Sequence, residues 1–419
     1  MIKKVIIGVL LLIVTSAIGQ QSTSSPYSVF GLGLENFNGT IANKSMAGLS
    51  LYSDAVAANL QNPATYSDLK LTSFGVGTSY TNTEINSQEG TGTGKATTLD
   101  YLAISIPAEK FGFGFGFQPY RSVGYRVQAI GLDEAVGEFE QLLEGTGNVS
   151  RVYLGAGTKV AKGLKIGAEV QYNFGRLEEQ RKKLTNTTFS SRLINQSDIF
   201  GVSYTFSGIY DYELEENFVI RSSIIYNTSG KIKSENNQER ATISSLDGVD
   251  FTDDFGLVED ENIVDRTFRL PSTLTVGLSF AKTRKWFLGG EAYITNNNDY
   301  QDRAVDRAGV VYTDAFGVKG GGFYIPKFNS LTSYFNRITY RAGIYYDKLG
   351  LQINGTDINE FGISFGFGLP LPREFSTLDI GFELGSRGQV TERTIREDYF
   401  SVSLGLSLGQ KWFKKRKYD

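Results

Sequence analysis

The chain has 419 residues, with 48 Gly, 29 Phe and 23 Tyr, no Cys and no His, and a formal net charge of −3. The missing Cys and His exclude a disulfide framework, most zinc, copper and iron chemistry, and catalysis by a histidine base, so no cofactor or metal is implied. A mildly acidic chain makes a poor nucleic-acid binder.

Residues 1–19 predict a secretory signal peptide. Lys3 and Lys4 give a short basic start, Val5 to Val14 an apolar run, and Ala17-Ile18-Gly19 the small residues before a cut. That run is too short to span a bilayer as a helix. Its removal leaves 40 basic against 45 acidic residues. Beyond it no apolar stretch approaches the roughly twenty residues a spanning helix needs. A membrane protein of this sequence must therefore be a closed barrel, because an open sheet leaves backbone groups unpaired in hydrocarbon.

Residues 20–70 come next and are not low-complexity spacer. They hold Ser24-Ser25-Pro26-Tyr27-Ser28-Val29-Phe30-Gly31-Leu32-Gly33, then Ala47-Gly48-Leu49-Ser50, then an Ala-rich stretch closing on Asn62-Pro63-Ala64.

From residue 71 the dominant pattern has a period of two. Phe111, Phe113, Phe115 and Phe117 alternate with Gly112, Gly114 and Gly116. Ile363, Phe365, Phe367 and Leu369 alternate with Ser364, Gly366 and Gly368, and Phe400 to Leu408 repeat the split. The polar face is small and carries acids, unlike the Lys- and Thr-rich exposed face of a soluble sandwich. That suits a crowded lumen, with the apolar face outward to lipid. The projection places Glu169, Arg221, Glu291, Arg341, Asp379 and Glu383 inside.

Fourteen antiparallel strands are predicted: about 71–85, 97–106, 111–121, 150–160, 163–177, 195–211, 217–232, 266–281, 285–297, 313–325, 336–347, 358–369, 376–387 and 397–409. Parity supports the tenth, since bacterial barrels of this kind have even strand numbers. Short turns such as 107–110, 161–162 and 212–216 then fall on the periplasmic side, and the longer segments 122–149, 178–194 and 233–265 fall outside. Segment 133–144 reads as a short amphipathic helix in an external loop. Gly90-Thr91-Gly92-Thr93-Gly94-Lys95 lacks the spacing of a phosphate loop and reads as external loop. Segment 247–265 is acidic with Arg first at 266; its spacing matches no calcium loop, and a solvated loop is the favoured reading. Residues 410–419 form a basic periplasmic tail.

Three short motifs carry a resemblance. Asn62-Pro63-Ala64 stands just before the first strand, Arg269-Leu270-Pro271-Ser272 enters a descending strand, and Tyr340-Arg341-Ala342-Gly343 lies in a rising one. Together they resemble the FadL-type outer-membrane transporters of fatty acids and other hydrophobic compounds, in a Bacteroidota-like form. The resemblance implies a fourteen-strand barrel plugged by an N-terminal hatch (20–70), with the barrel over 71–409. It also implies a lateral wall opening at a kinked third strand, here 111–121, where Gly112, Gly114, Gly116 and Pro119 are candidates. The alternative is that these glycines relieve crowding against the hatch and Pro119 ends the strand. Tyr27, Phe30 and Leu32 either contact a ligand or wedge the plug. Thr65-Tyr66 follow Pro63-Ala64 where the family has Gly, and no pair of basic residues suited to a fatty carboxylate stands out.

Two functions follow, both in the bacterial outer membrane with its lipid as neighbour. One is passive transport of hydrophobic small molecules with lateral release. The other is a non-transporting barrel subunit of a larger outer-membrane assembly or secretion complex, with protein partners. An enzyme is not expected.

Overall fold

Alternating sequence becomes a single antiparallel sheet closed on itself. A computed structural model of the protein describes residues 22–133, 137–185, 189–214, 217–244, 258–259, 264–297, 299–304, 306–371 and 375–410. The strands are β1 (Leu34–Glu35), β2 (Thr72–Asn86), β3 (Thr91–Ala108), β4 (Phe111–Asp133), β5 (Gly137–Ala161), β6 (Leu164–Thr185), β7 (Phe189–Glu213), β8 (Phe218–Asn227), β9 (Lys231–Ser244), β10 (Val258–Glu259), β11 (Arg266–Arg269), β12 (Ser272–Lys282), β13 (Trp286–Asn296), β14 (Val310–Tyr312), β15 (Ala315–Tyr324), β16 (Thr339–Ile353), β17 (Thr356–Pro370), β18 (Phe375–Gly388) and β19 (Arg396–Gln410). β19 pairs with β2 from Arg396↔Asn86 to Gln410↔Thr72, which closes the ring.

Fourteen of these strands make the wall, as the sequence predicts. β9 continues β8 upward on β7, and β11 leads into β12, so each pair is one interrupted strand. β15 fills the tenth place, between β13 and β16. Among the described residues no helix is long and apolar enough to cross a membrane; the one α-helix, α1, is Ile41–Lys44. Most of the predicted outward residues are exposed, and Phe117, Leu369, Val402, Leu406 and Leu408 are half-buried. Leu278 and Leu288, 61 % and 64 % exposed, can be satisfied only by lipid.

The largest difference from the sequence reading is height. β4 to β7 run 22 to 25 residues each, against the roughly 9–11 that cross a bilayer. Most of segments 122–149 and 178–194, read as loop, is strand. Residues 137–144, read as part of a helix, belong to β5 and pair with β4 from Asp133↔Gly137 to Arg126↔Glu144. Helix-forming residues here follow the ladder, because pairing on both sides outweighs propensity. Thr91–Lys95 likewise belong to β3.

The tall wall carries its own core on its inner face. Val123, Tyr125, Val149, Leu177, Ile199 and Ile232 pack there with Leu32, Phe268 and Tyr300. Residues 1–21, 245–257, 260–263 and 411–419, which include the expected signal peptide, most of the acidic segment and the expected basic tail, lie outside those described.

Candidate functional site

Residues 22–71 lie against the inward face of the barrel. The turn Pro63–Asp68 sits deepest, and small wall residues make room for it. A methyl group on Gly112 would collide with the Tyr66 carbonyl, and one on Gly157 or Gly167 with the backbone of Pro63 and Ala64. Glycine is required at these positions by close backbone approach. Asn62 Nδ2 donates to Ser223 Oγ at 3.0 Å, and the Ala64 N–H donates to Ser207 Oγ at 2.9 Å.

Buried ion pairs fasten this turn. Asp68 accepts from Lys165 Nζ at 2.6 Å and lies 3.4 Å from Arg221. Both cations also bind Asp211 at 2.6 Å. Arg221 further donates to the Leu51 carbonyl and to Ser53 Oγ. Burial alone would raise the Asp68 carboxyl. The charges of Lys165 and Arg221 outweigh it and hold the group below the usual carboxylate range.

Higher up, Glu291 accepts from the Ser50 N–H at 2.7 Å and from Ser50 Oγ at 2.8 Å. Lys44 on α1 reaches Glu383 at 3.5 Å, and Ser364 Oγ accepts from the Ala47 N–H. Arg341 and Asp379 pair across the wall at 2.6 Å. Near the top, Arg387 bridges Glu360 (2.8 Å) and Glu397 (3.0 Å), and Ser25 Oγ donates to Glu397 at 2.5 Å. The Tyr399 hydroxyl stands within hydrogen-bonding distance of Glu360 and of the Tyr345 hydroxyl, which in turn lies 2.7 Å from Glu383; the two hydroxyl protons can serve two of these three contacts at a time. Tyr27 OH donates to the Ile395 carbonyl; burial and the Glu397 charge push its hydroxyl up, so it stays a donor.

Between these fastenings lies a cavity of about 490 Å³. Its lining includes Asp100, Gln118, Arg151, Glu169, Gln171, Glu291, Lys319, Glu383 and Arg387. Arg151 stacks on the Tyr120 ring at 3.8 Å and donates to Asn173 at 2.8 Å. Leu34, Phe37, Leu60, Ile225 and Leu270 also line it, so the chamber is mixed, with charged and amide groups interrupting its apolar surface.

Among the described residues the seam between β3 and β4 is incomplete. β3 and β4 pair only from Ala108↔Phe111 to Leu102↔Phe117. Above that the N-terminal segment stands between them. β1 pairs with β4 at Leu34↔Ser122 and Glu35↔Arg121. Thr98 Oγ1 donates to the Ser22 carbonyl on one side, and the Gly124 N–H donates to Ser28 Oγ on the other. Pro119 sits at a bulge where the β4–β5 register shifts, in the stretch that has lost β3 as a partner.

The predicted residues are distributed as follows. Glu169, Arg221, Glu291, Arg341, Asp379 and Glu383 all face inward. Gly112, Gly114 and Gly116 lie in the part of β4 paired on both sides, with Gly112 and Gly114 against Tyr66. Tyr27 and Leu32 are buried against wall and loop residues, Phe30 packs beside Tyr27, and none of the three lines the cavity. The sequence reading missed Asp68, Lys165 and Asp211, and the Arg387–Glu360–Glu397 group; the period of two would have put Lys165 inside with Glu169. Among the described residues no group of three or more acids could hold a metal ion.

A family model described as BamG matches residues 1–419. No curated protein matches the chain. Among solved structures, the CymD monoaromatic hydrocarbon channel aligns at TM-score 0.59 and 14 % identity, over 91 % of this chain and 100 % of its own. The Pseudomonas putida toluene transporter TodX aligns at 0.60 and 16 %, over 91 % and 100 %. A Pseudomonas aeruginosa FadL homologue aligns at 0.58 and 12 %, over 90 % and 99 %. At these identities the likeness is one of fold, and it supports the FadL-type resemblance at that level.

Proposed function

The chain belongs to the BamG family, and on that footing we propose that it is a sealed, non-transporting barrel serving as a subunit of a larger bacterial outer-membrane assembly. The observation that carries this reading is the lumen. Residues 20–70, freed by cleavage after Gly19, act as a hatch tied to the wall by the buried Asp68–Lys165–Arg221 group, and the space above it is lined by charges. A hydrophobic solute entering such a space meets charged groups that it cannot solvate, and moving the hatch would strand several buried charges, each at a cost of several kcal/mol.

One observation favours transport of hydrophobic compounds, the function printed for the hydrocarbon channels of similar fold. It is the seam above Leu102↔Phe117, which hatch residues fill in place of strand pairing. Lateral release would pass there.

Mild-detergent purification of the full chain, followed by native mass spectrometry, separates the two. The subunit reading expects a stoichiometric complex whose barrel holds no small hydrophobic molecule. A lone barrel carrying a detergent or lipid tail in its lumen overturns it.

A further inference from the structure

We propose that the upper free edge of β4, residues 126–133, is a docking edge that takes an added strand from a partner protein on the outer side of the membrane. The proposal rests on the subunit reading and gives that subunit its contact surface.

The edge arises because β4 outruns β3. Above their last shared pair, Leu102↔Phe117, β3 has residues 91–101 and β4 has residues 118–133. The hatch covers the lower part of the exposed edge: the Asn36 N–H donates to the Tyr120 carbonyl, β1 pairs at Arg121 and Ser122, and Ser28 Oγ accepts from the Gly124 N–H. These bonds show which residues turn their backbone groups away from β5. The β4–β5 register is unbroken from Arg121↔Val149 to Asp133↔Gly137. By the period of two, Arg126, Gln128, Ile130 and Leu132 direct N–H and C=O toward the same open side. Among the described residues no strand pairs there.

The opposite edge of the tall wall is finished differently. β9 is covered by β11 at Lys231–Ser234 and by β10 at Glu239 and Arg240, and it is rich in charge. Lysine, proline and covering strands are how proteins keep sheet edges from pairing. From Ser122 to Asp133 β4 has neither Lys nor Pro, and Ile130 is 71 % exposed.

The occupant must be an extended polypeptide, because the demand left unmet among the described residues is a row of backbone donors and acceptors. β1 already answers the same demand a few residues lower, so the added strand continues an existing line of pairing. A second copy of this chain fits poorly. An edge-to-edge isologous pair runs antiparallel, whereas β4 rises in every copy inserted in one membrane. The edge therefore calls for a different protein, with a weakly charged, β-prone segment to lie beside Ile130.

The test uses the full-length protein within its mild-detergent complex. Gln128→Pro with Ile130→Pro removes two open-side donors and leaves the β5 ladder intact. Ile130→Lys with Gln128→Glu charges the same edge and covers the case in which the proline variant does not fold, as judged by heat-modifiable gel migration. A photo-crosslinking benzoylphenylalanine at position 128 or 130 reports what lies beside it. The expected result is at least a tenfold loss of partner stoichiometry in a folded variant, with crosslinks from both positions reaching one short segment of a single partner. Full stoichiometry in the variants, or crosslinks only to lipid or to a second copy of the chain, overturns the docking edge and leaves the subunit reading standing. A wild-type chain that purifies alone overturns both.

Discussion

β6 and β7 carry two opposite arrangements on one pleat. In the lower part Ile166, Val170, Tyr172 and Phe174 point outward and are exposed, while Lys165, Glu169, Gln171 and Asn173 are buried inside. Higher on the same strands, Arg176 and Asp198 point outward and pair at 2.6 Å, and Leu177 and Ile199 are buried inside. The pairing from Leu164↔Tyr210 to Lys183↔Ser191 contains no register shift. The geometry does not change; the medium on each side does. Lipid outside and packed polar groups inside give way to water outside and an apolar core inside.

The largest expected effect comes from the inner face of the lower ring. Arg341→Ala leaves Asp379 buried without its partner and should destabilise the barrel by about 3–5 kcal/mol, read as a shift in the urea midpoint. Next comes the outer face. Val170→Arg puts a charge in the lipid-facing belt and should cost about 2–4 kcal/mol if the residue lies near the bilayer midplane. Arg176→Ala, on the same face of the same strand but in water, should leave that midpoint unchanged. Equal effects at positions 170 and 176 would place the lipid boundary elsewhere.

The smallest effect is that of pH. The Asp68 carboxyl is depressed in the folded protein, so its stabilising share is full above the unfolded value of about 3.9 and is lost as pH falls through the lower folded value. Amide exchange around residues 63–68 should therefore stay slow at pH 5 to 7 and quicken below about pH 4, before the wall strands open.

The lower ring was legible because alternation there is stark: Phe against Gly in β4, Ile and Phe against Ser and Gly in β17. The tall wall was not, for three physical reasons. The bulge at Pro119 shifts the phase of β4, so the run of outward phenylalanines ends without a successor. Above it the outward residues are polar, as Arg126 and Gln128 are, and read as loop. Glu140 to Glu144 are helix formers whose strand conformation is imposed by neighbours on both sides. The inward charges were visible as a face, but their partners were not. Arg221 meets Asp68 across 153 positions, a proximity that only closure of the sheet creates.

The contact between Ser25 and Glu397 spans 372 positions. Glu397 lies on β19, the strand whose pairing with β2 completes the ring. This fastening cannot form until that ring is nearly shut, so some of the first residues to be made must wait for some of the last. Contacts of such long sequence separation form slowly, and the half-closed chain meanwhile offers two open strand edges to any neighbour. The seated N-terminus thus works as a clasp that follows completion, fastened only when β19 has met β2.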